Sequence, residues 1–371
     1  MDVSNMIPQA SNDFYRIVIE ELPLIDVRAP KEFTKGAFLN SVNLPLMNDE
    51  ERHLIGICYK EKGHNEAVKL GHRLICDHIQ KERVDAWKTY LSQHPGSMLY
   101  CFKGGLRSQI SQQWIFEAIS KDIPRLEGGY KAFRNYLIKA LEPTEQRSIP
   151  IVLSGYTGSG KTLMLNELTN SIDLEGIAHH RGSAFGKQIT PQPNQINFEN
   201  NLAYKLIQHN HQGYDYMIIE DEGRNVGSCF IPKSLAEYFN TGDLIIVEQD
   251  LEKRIRITLD EYVINFQNQY IQAYGETQGL LEWFNYLDHS IQKIKNRLGL
   301  ERYRHISDAF QSAYKEQHTT GTYTSHQNWI RILLKEYYDP MYEYQIQKKS
   351  HRIRFKGDYQ EVKAYLKERN H

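Results

Sequence analysis

Short apolar runs alternate with longer stretches of helical spacing along most of the chain. The runs are Leu22 to Arg28, Met98 to Tyr100, Ile149 to Leu153, Asp215 to Ile219 and Asp243 to Val247, each leading into polar or glycine-rich sequence. Between them, Val68, Leu70, Leu74, Ile75 and Ile79 mark a helical face over 65–92. Ile110, Trp114, Ile115, Ala118 and Ile119 mark another, and Ala132 to Leu141 a further helical piece. Leu163, Leu165 and Leu168 follow the same spacing, as do Leu259, Tyr262, Val263, Phe266 and Tyr270. Strands in alternation with helices predict parallel α/β sheets. The passage from Pro30 through Gly36 to Asn43-Leu44-Pro45 reads as loop, and Pro95-Gly96 as a turn. A polar segment, Glu142 to Pro150, reads as a linker between domains. In the last third Trp329, Ile330, Leu333, Leu334, Tyr337 and Tyr338 keep helical spacing and read as helix core.

At 371 residues the chain suggests two or three domains. Its 40% hydrophobic and 25% charged residues are those of a globular protein, and no apolar run is long enough to cross a bilayer. Met1 to Asp13 lacks the basic start and apolar centre of a signal peptide. The four cysteines, Cys58, Cys76, Cys101 and Cys229, are widely spaced, which argues against a disulfide framework and a Cys-based zinc site. A cytoplasmic protein with reduced thiols and no membrane partner is expected. The net charge of −1 hides an asymmetry: His289 to His371 holds 16 Lys/Arg and 9 Asp/Glu, net +7, leaving −8 for the rest. Lys293, Lys295, Arg297, Arg302 and Arg304 form one basic cluster, and Lys348, Lys349, Arg352, Arg354 and Lys356 a second. Both have the composition of phosphate-backbone contacts, against the plainer reading of a solvated helical surface.

Gly155-Tyr156-Thr157-Gly158-Ser159-Gly160-Lys161-Thr162 lies between a strand and a helix, the context of a phosphate-binding P-loop. Its glycines, Gly155, Gly158 and Gly160, let backbone N–H groups turn inward around phosphate oxygens, with Ser159 among them. The helix N-terminus adds partial positive charge, Lys161 neutralises a terminal phosphate, and the Thr162 hydroxyl is placed to hold Mg²⁺. Downstream, the run from Asp215 ends in Glu220-Asp221-Glu222. Glu220 or Asp221 is expected to approach the phosphates, directly or through water. Arg181, in His180-Arg181-Gly182-Ser183, and Arg224 are candidates for binding substrate or RNA phosphate, because guanidinium suits that geometry. His179-His180 and His209-x-His211 read as polar surface rather than metal ligands.

Cys101 stands at the end of a strand in a loop, Cys101-Phe102-Lys103-Gly104-Gly105-Leu106-Arg107-Ser108, that winds into a helix. Consecutive backbone N–H groups at Lys103, Gly104, Gly105 and Ser108, with the charges of Lys103 and Arg107, form an anion cradle favouring a thiolate or an anion carried on sulfur. Cys58, Cys76 and Cys229 lack such surroundings and read as core.

Asp26-Val27-Arg28-x-Pro30-x-Glu32-Phe33, Gly36 and Asn43-x-Pro45, followed by C-x-x-G-G-x-R-S, resemble a rhodanese domain. The resemblance implies that the loop cysteine carries sulfur or selenium and that Asp26 and Arg28 are scaffold. Arg52, Gly56, Tyr59-Lys60, Gly63, Gly128-Gly129-Tyr130-Lys131 and His180-Arg181-Gly182-Ser183-x-Phe185-Gly186 narrow the likeness to the tRNA 2-selenouridine synthase family, over most of 20–260. Lys103 departs from the Arg expected there, which keeps the charge and loses the bidentate fork.

The resemblance implies an α/β fold: a rhodanese-like domain (1–141), a linker (142–150), a P-loop NTPase-like parallel α/β domain (151–288) and a basic, mainly helical C-terminal region (289–371). It implies a two-step transferase. Geranyl diphosphate, held at the P-loop, alkylates a wobble 2-thiouridine in the anticodon loop of tRNA. Selenium from selenophosphate, handled by Cys101, then displaces the S-geranyl group. Geranyl diphosphate and selenophosphate are co-substrates, with no tightly bound cofactor; Thr162 would hold Mg²⁺ if a metal is used. A selenophosphate-producing enzyme is an allowed partner, and a monomer is the favoured state. The rivals are a nucleotide-hydrolysing tRNA sulfurtransferase using a Cys101 persulfide and an RNA-binding protein with a degenerate rhodanese module. The intact cysteine and P-loop count against the last.

Overall fold

The structure, a computed structural model, describes residues 10–369. Residues 1–9, part of the stretch in which no signal peptide is read, and the end of the basic tail at 370–371 lie outside the described residues. The chain folds into two units. One comprises residues 1–146 and 194–212, the other 147–193 and 213–371.

The first unit is built on a parallel sheet. Its strands are β1 (Ala10–Ser11), β2 (Leu24–Asp26), β3 (Ser41–Asn43), β4 (Met98–Tyr100) and β5 (Arg125–Leu126), in the order β1-β5-β4-β2-β3. Both β2 and β4 are buried throughout, as their unbroken apolar runs require. The region read as one helical stretch is two helices, His64–Leu74 and Asp77–Gln93. A helix not anticipated from the sequence, Asp49–Lys62, precedes them, with a capping box at Asn48 and Glu51. Asp26 and Arg28 are fully buried and paired through two oxygens, and Arg28 also donates to the Gly36 carbonyl at 2.7 Å, with the Tyr130 ring beneath it. This is the scaffold role the rhodanese likeness implies.

The helix Gln195–Gln212 corrects the expected boundaries, which placed it in the P-loop domain. Phe198, Leu202, Ala203 and Leu206 are buried on it, and Tyr204 meets Phe133 of the helix Gly129–Ala140. The fully buried Asn200 side chain donates to the Ala37 carbonyl and accepts from Arg134, each at 2.7 Å. Burial of this apolar face outweighs sequence proximity to the P-loop.

The second unit holds β6 (Ile149–Gly155), β7 (Ser171–Ile172), β8 (Tyr216–Glu220), β9 (Asn225–Val226), β10 (Cys229–Phe230), β11 (Asp243–Val247) and β12 (Ile353–Gly357). Five of these make a parallel sheet ordered β12-β11-β6-β8-β7, with β9 and β10 forming a separate antiparallel pair. The expected 289–371 region is therefore not separate. Its β12 is an edge strand of the P-loop sheet, and Val362 and Leu366 of the helix Tyr359–Lys367 pack into the same core as Leu153 and Val247. Helices between Leu251 and Lys348 surround another core centred on Trp283, Phe310 and Trp329. The spacing from Leu259 onwards is interrupted by a π-helical stretch, Asp260–Asn265, and a second one spans Leu334–Tyr338. Among the described residues no helix is long and apolar enough to cross a membrane.

Candidate functional site

In the second unit, β6 delivers the chain to Gly155, and the loop ends at the short helix Lys161–Asn166. That helix buries Met164 and Leu165 and leaves Leu163 exposed, a face shifted from the one read in the sequence. Gly158 has φ +77°, and a Cβ there would lie 2.6 Å from Thr258 Oγ1 and 2.8 Å from the Arg254 carbonyl oxygen. Only glycine fits. Lys161 Nζ donates to the carbonyls of Gly155 (2.9 Å) and Tyr156 (3.2 Å), with the Tyr342 ring 5.6 Å away. Burial lowers its affinity for a proton, against the pull of Glu175, Glu222 and Asp221. Buried Arg254 fixes the loop by donating to the Thr157 carbonyl at 2.9 Å, and it is itself held by Asp339. Ser159 Oγ is buried with no hydrogen-bond partner. An anion in the loop would supply one.

The acids sort differently from the sequence reading. Asp221 is fully engaged: Ser154 Oγ donates to Oδ2 at 2.8 Å and Lys349 to Oδ1. Glu220 turns away from the loop, with Oε2 accepting from the Leu174 N–H at 2.9 Å. Its carboxyl is pushed well up by burial and by Asp173 and Glu175. The third acid, Glu222, is the one paired beside Lys161, and its partner is Glu175. Burial and then the Glu222 charge push Glu175 up to about 9, so the pair carries one proton at neutral pH. Gly182 accommodates both carboxylates, since a Cβ there would lie 2.3 Å from Glu222 and 2.4 Å from Glu175. Glu222 was readable as the last of three acids; Glu175, on the helix Leu174–Ala178, carries no motif. This donor set is a proton-sharing pair and a closed ion pair, not an open carboxylate site for Mg²⁺.

Arg181 lies over the Tyr262 ring at 5.3 Å, and Ser183 Oγ is 3.5 Å from the Tyr262 hydroxyl. Tyr262 is carried by one π-helical stretch and Tyr338, also bonded to Ser183, by the other. Arg224 is elsewhere, immediately before β9, with Nε donating to the Ile231 carbonyl and its guanidinium over Phe230. Much of the second basic cluster is structural: Lys349 holds Asp221, Arg352 donates to the Gly242 carbonyl at 2.7 Å, and Arg354 pairs with Asp243. In the first cluster Arg302 pairs with Glu336 and Lys295 lies over Tyr303.

In the first unit, Cys101 follows β4 and its loop enters the helix Leu106–Ile119. The thiol is buried, 3.3 Å from Ser108 Oγ and 3.8 Å from the Gly105 carbonyl oxygen. The loop backbone is pinned by Tyr130 N–H to the Cys101 carbonyl (2.8 Å) and by Arg125 to the Gly104 carbonyl (2.7 Å). Arg107 pairs with Glu32 at 2.7 Å and Arg52 shares the same carboxylate. Burial raises the Glu32 proton affinity, but Arg107 and Arg52 together bring it below the usual carboxylate range. Lys103 is exposed at the loop, and with Arg107 and Cys101 it lines a cavity of about 830 Å³. Of the cysteines read as core, Cys229 is buried, whereas Cys58 and Cys76 are half-exposed. His209, read as surface, is buried, and His211 bonds the Tyr15 hydroxyl at 2.6 Å.

The fold and loop geometry of the second unit define a P-loop α/β protein, joined on one chain to a parallel α/β unit that presents a cysteine loop. The family model for the tRNA 2-selenouridine synthase AAA domain matches residues 148–371. A tRNA 2-selenouridine synthase of Sulfurovum sp. is 51% identical over 98% of this chain and 99% of its own. Those of Hydrogenovibrio crunogenus and Shewanella frigidimarina are 48% and 45% identical, over 98% of this chain and 100% and 99% of theirs. The chain belongs to the tRNA 2-selenouridine synthase family. Among solved structures, the N-terminal domain of a putative ATP/GTP binding protein from Clostridium difficile 630 matches 35% of this chain and 99% of its own at 24% identity, with a TM-score of 0.31, too low to bear on the argument.

Proposed function

We propose that the protein converts a wobble 2-thiouridine of tRNA into 2-selenouridine in two steps. In the first, the thiouridine sulfur attacks C1 of geranyl diphosphate, the C–O bond breaks with its electron pair leaving on diphosphate, and N3 loses a proton. The glycine loop and Lys161 take up the charge that develops on the leaving group. A half-buried ammonium now resting on two carbonyls has poor alternatives to a phosphate oxygen, which favours its transfer to an incoming anion. In the second step, selenophosphate selenium adds at C2. The C2–S bond breaks, geranylthiolate leaves and takes a proton, and water cleaves the Se–P bond to give phosphate. No outside oxidant or reductant is required. Cys101 handles the selenium, with Lys103 and the loop N–H groups facing the donor's charge.

The observation that carries this reading is Cys101, held in a pinned loop on the wall of a large cavity, on the same chain as an intact P-loop. Mass spectrometry of 2-thiouridine tRNA incubated with geranyl diphosphate and selenophosphate tests it. Lys161→Ala should abolish S-geranylation, and Cys101→Ala should permit geranylation while abolishing selenouridine. Full selenouridine from the cysteine variant would overturn the role of Cys101. The matched family's AAA description keeps one rival in view, the nucleotide-hydrolysing sulfurtransferase. ATP or GTP hydrolysis stimulated by 2-thiouridine tRNA, with no geranyl product, would favour that rival.

A further inference from the structure

The cavity at Cys101 is far larger than a selenium donor needs, and its walls are the wrong chemistry for one. It measures about 830 Å³, within the ~300–1,000 Å³ of small-molecule sites. Ile55, Val68, Ile75, Leu106, Ile110 and Trp114 line it. Four of the chain's large exposed hydrophobics also face it: Ile57 (40% exposed), Tyr59 (57%), Phe102 (40%) and Leu106 (41%). Cations are confined to a few positions, Arg52, Lys60, Lys103 and Arg107. An apolar chamber with basic groups and a thiol suits a ligand that is a hydrocarbon at one end and joined to a polyanion at the other.

Two glycines strengthen this. Gly56, within the helix Asp49–Lys62, and Gly71, within His64–Leu74, both line the chamber. Glycine is the poorest helix former after proline, and neither position needs it locally. A Cβ at Gly56 would meet nothing within 4 Å, and one at Gly71 only the Ile55 Cδ1 at 3.5 Å, an ordinary contact. Side chains are left out where both helices would gain from them. What is kept is volume.

We infer that this chamber holds the prenyl chain of the S-geranyl nucleotide, placing the leaving group's hydrocarbon beside Cys101 while selenium replaces sulfur at C2. The inference rests on the two-step reading above. It assigns the first unit a substrate-binding role as well as a selenium role, and it makes prenyl chain length a determinant of the second step. Each methylene buried contributes a factor of about four in binding. Shortening the chain by one isoprene unit should therefore lower kcat/KM of the second step at least about tenfold.

The test uses a 2-thiouridine anticodon stem-loop carrying preformed S-geranyl or S-dimethylallyl groups, with selenophosphate and the full-length protein. Gly71→Leu and Gly56→Leu should slow conversion of the geranyl substrate about tenfold and leave the dimethylallyl substrate within about twofold, shrinking the chain-length preference about tenfold. Unchanged preference in both variants would overturn the inference. Independently of any variant, a diazirine-bearing S-prenyl stem-loop photolysed on the wild-type protein should label peptides from 46–75 and 101–114. Labelling confined to 147–371 would overturn it as well. Failure of the wild-type protein to convert S-geranyl RNA at all would instead sink the two-step function.

Discussion

A single hydrogen-to-methyl change at Gly129 would reach the cysteine loop directly. Gly129 has φ +59°, and a Cβ there would lie 2.3 Å from the Cys101 carbonyl oxygen and 2.4 Å from the Gly104 nitrogen, both backbone atoms. Gly129→Ala is expected to cost at least about 2 kcal/mol and to abolish selenouridine formation, measured by denaturant unfolding and by tRNA mass spectrometry. S-geranylation should survive wherever the protein stays folded. A second prediction concerns the buried carboxyl pair. Glu175 is raised in the folded protein to about 9, so its favourable contribution is complete below the unfolded pKa and is lost as pH rises through about 9. Glu175→Gln keeps a hydrogen-bond donor and removes the titration. The variant should match the wild type near pH 4.5 and become progressively more stable than it up to pH 9. The gain should be at least about 1 kcal/mol at pH 8, seen as a rising difference in Tm. A constant difference across that range would show that the pair does not share a proton.

Elements differ in how openly the sequence declares them. The P-loop and its flanking strand were legible because their signal is local: each glycine answers a backbone demand within a few residues. The helix Asp49–Lys62 was not. Its Leu54, Ile57 and Tyr59 are exposed, two of them facing the cavity, so no buried stripe gave it a helical period. The proton-sharing pair was half legible, since Glu222 follows a visible strand whereas Glu175 meets it only through the fold. Part of the basic tail has a structural use that composition does not reveal. Charge counts do not record partners, and Lys349, Arg352 and Arg354 are spent on fastening β12 and its approach to the sheet. Leu366, fully buried in this tail, gives the check. Leu366→Ala should destabilise the second unit by about 2–5 kcal/mol, read by chemical denaturation, although it removes no charge and touches no RNA.

At the scale of the whole chain, the first unit is discontinuous: residues 1–146 need 194–212. A fragment ending at Gln146 would leave Phe133 without Tyr204, and Arg134 and Ala37 without Asn200. It should lack a cooperative melt and bind hydrophobic dye, and a protein in which Phe198 and Leu202 are both changed to Asp should show the same loss in its first unit while the P-loop unit still melts. Neither domain likeness nor the Glu142–Pro150 linker announces this return. Both describe the chain as beads in order, while burial of an amphipathic helix obeys only proximity in space.

The return of 194–212 also sets a timetable for biosynthesis. A nascent chain cannot close the cysteine unit until residue 212 has left the ribosome, and by then the whole stretch from Gly155 to Thr162 is already outside. A message broken anywhere before that point yields no finished cysteine unit. The cell is thereby spared a folded cysteine unit made without the glycine loop that accompanies it on the chain.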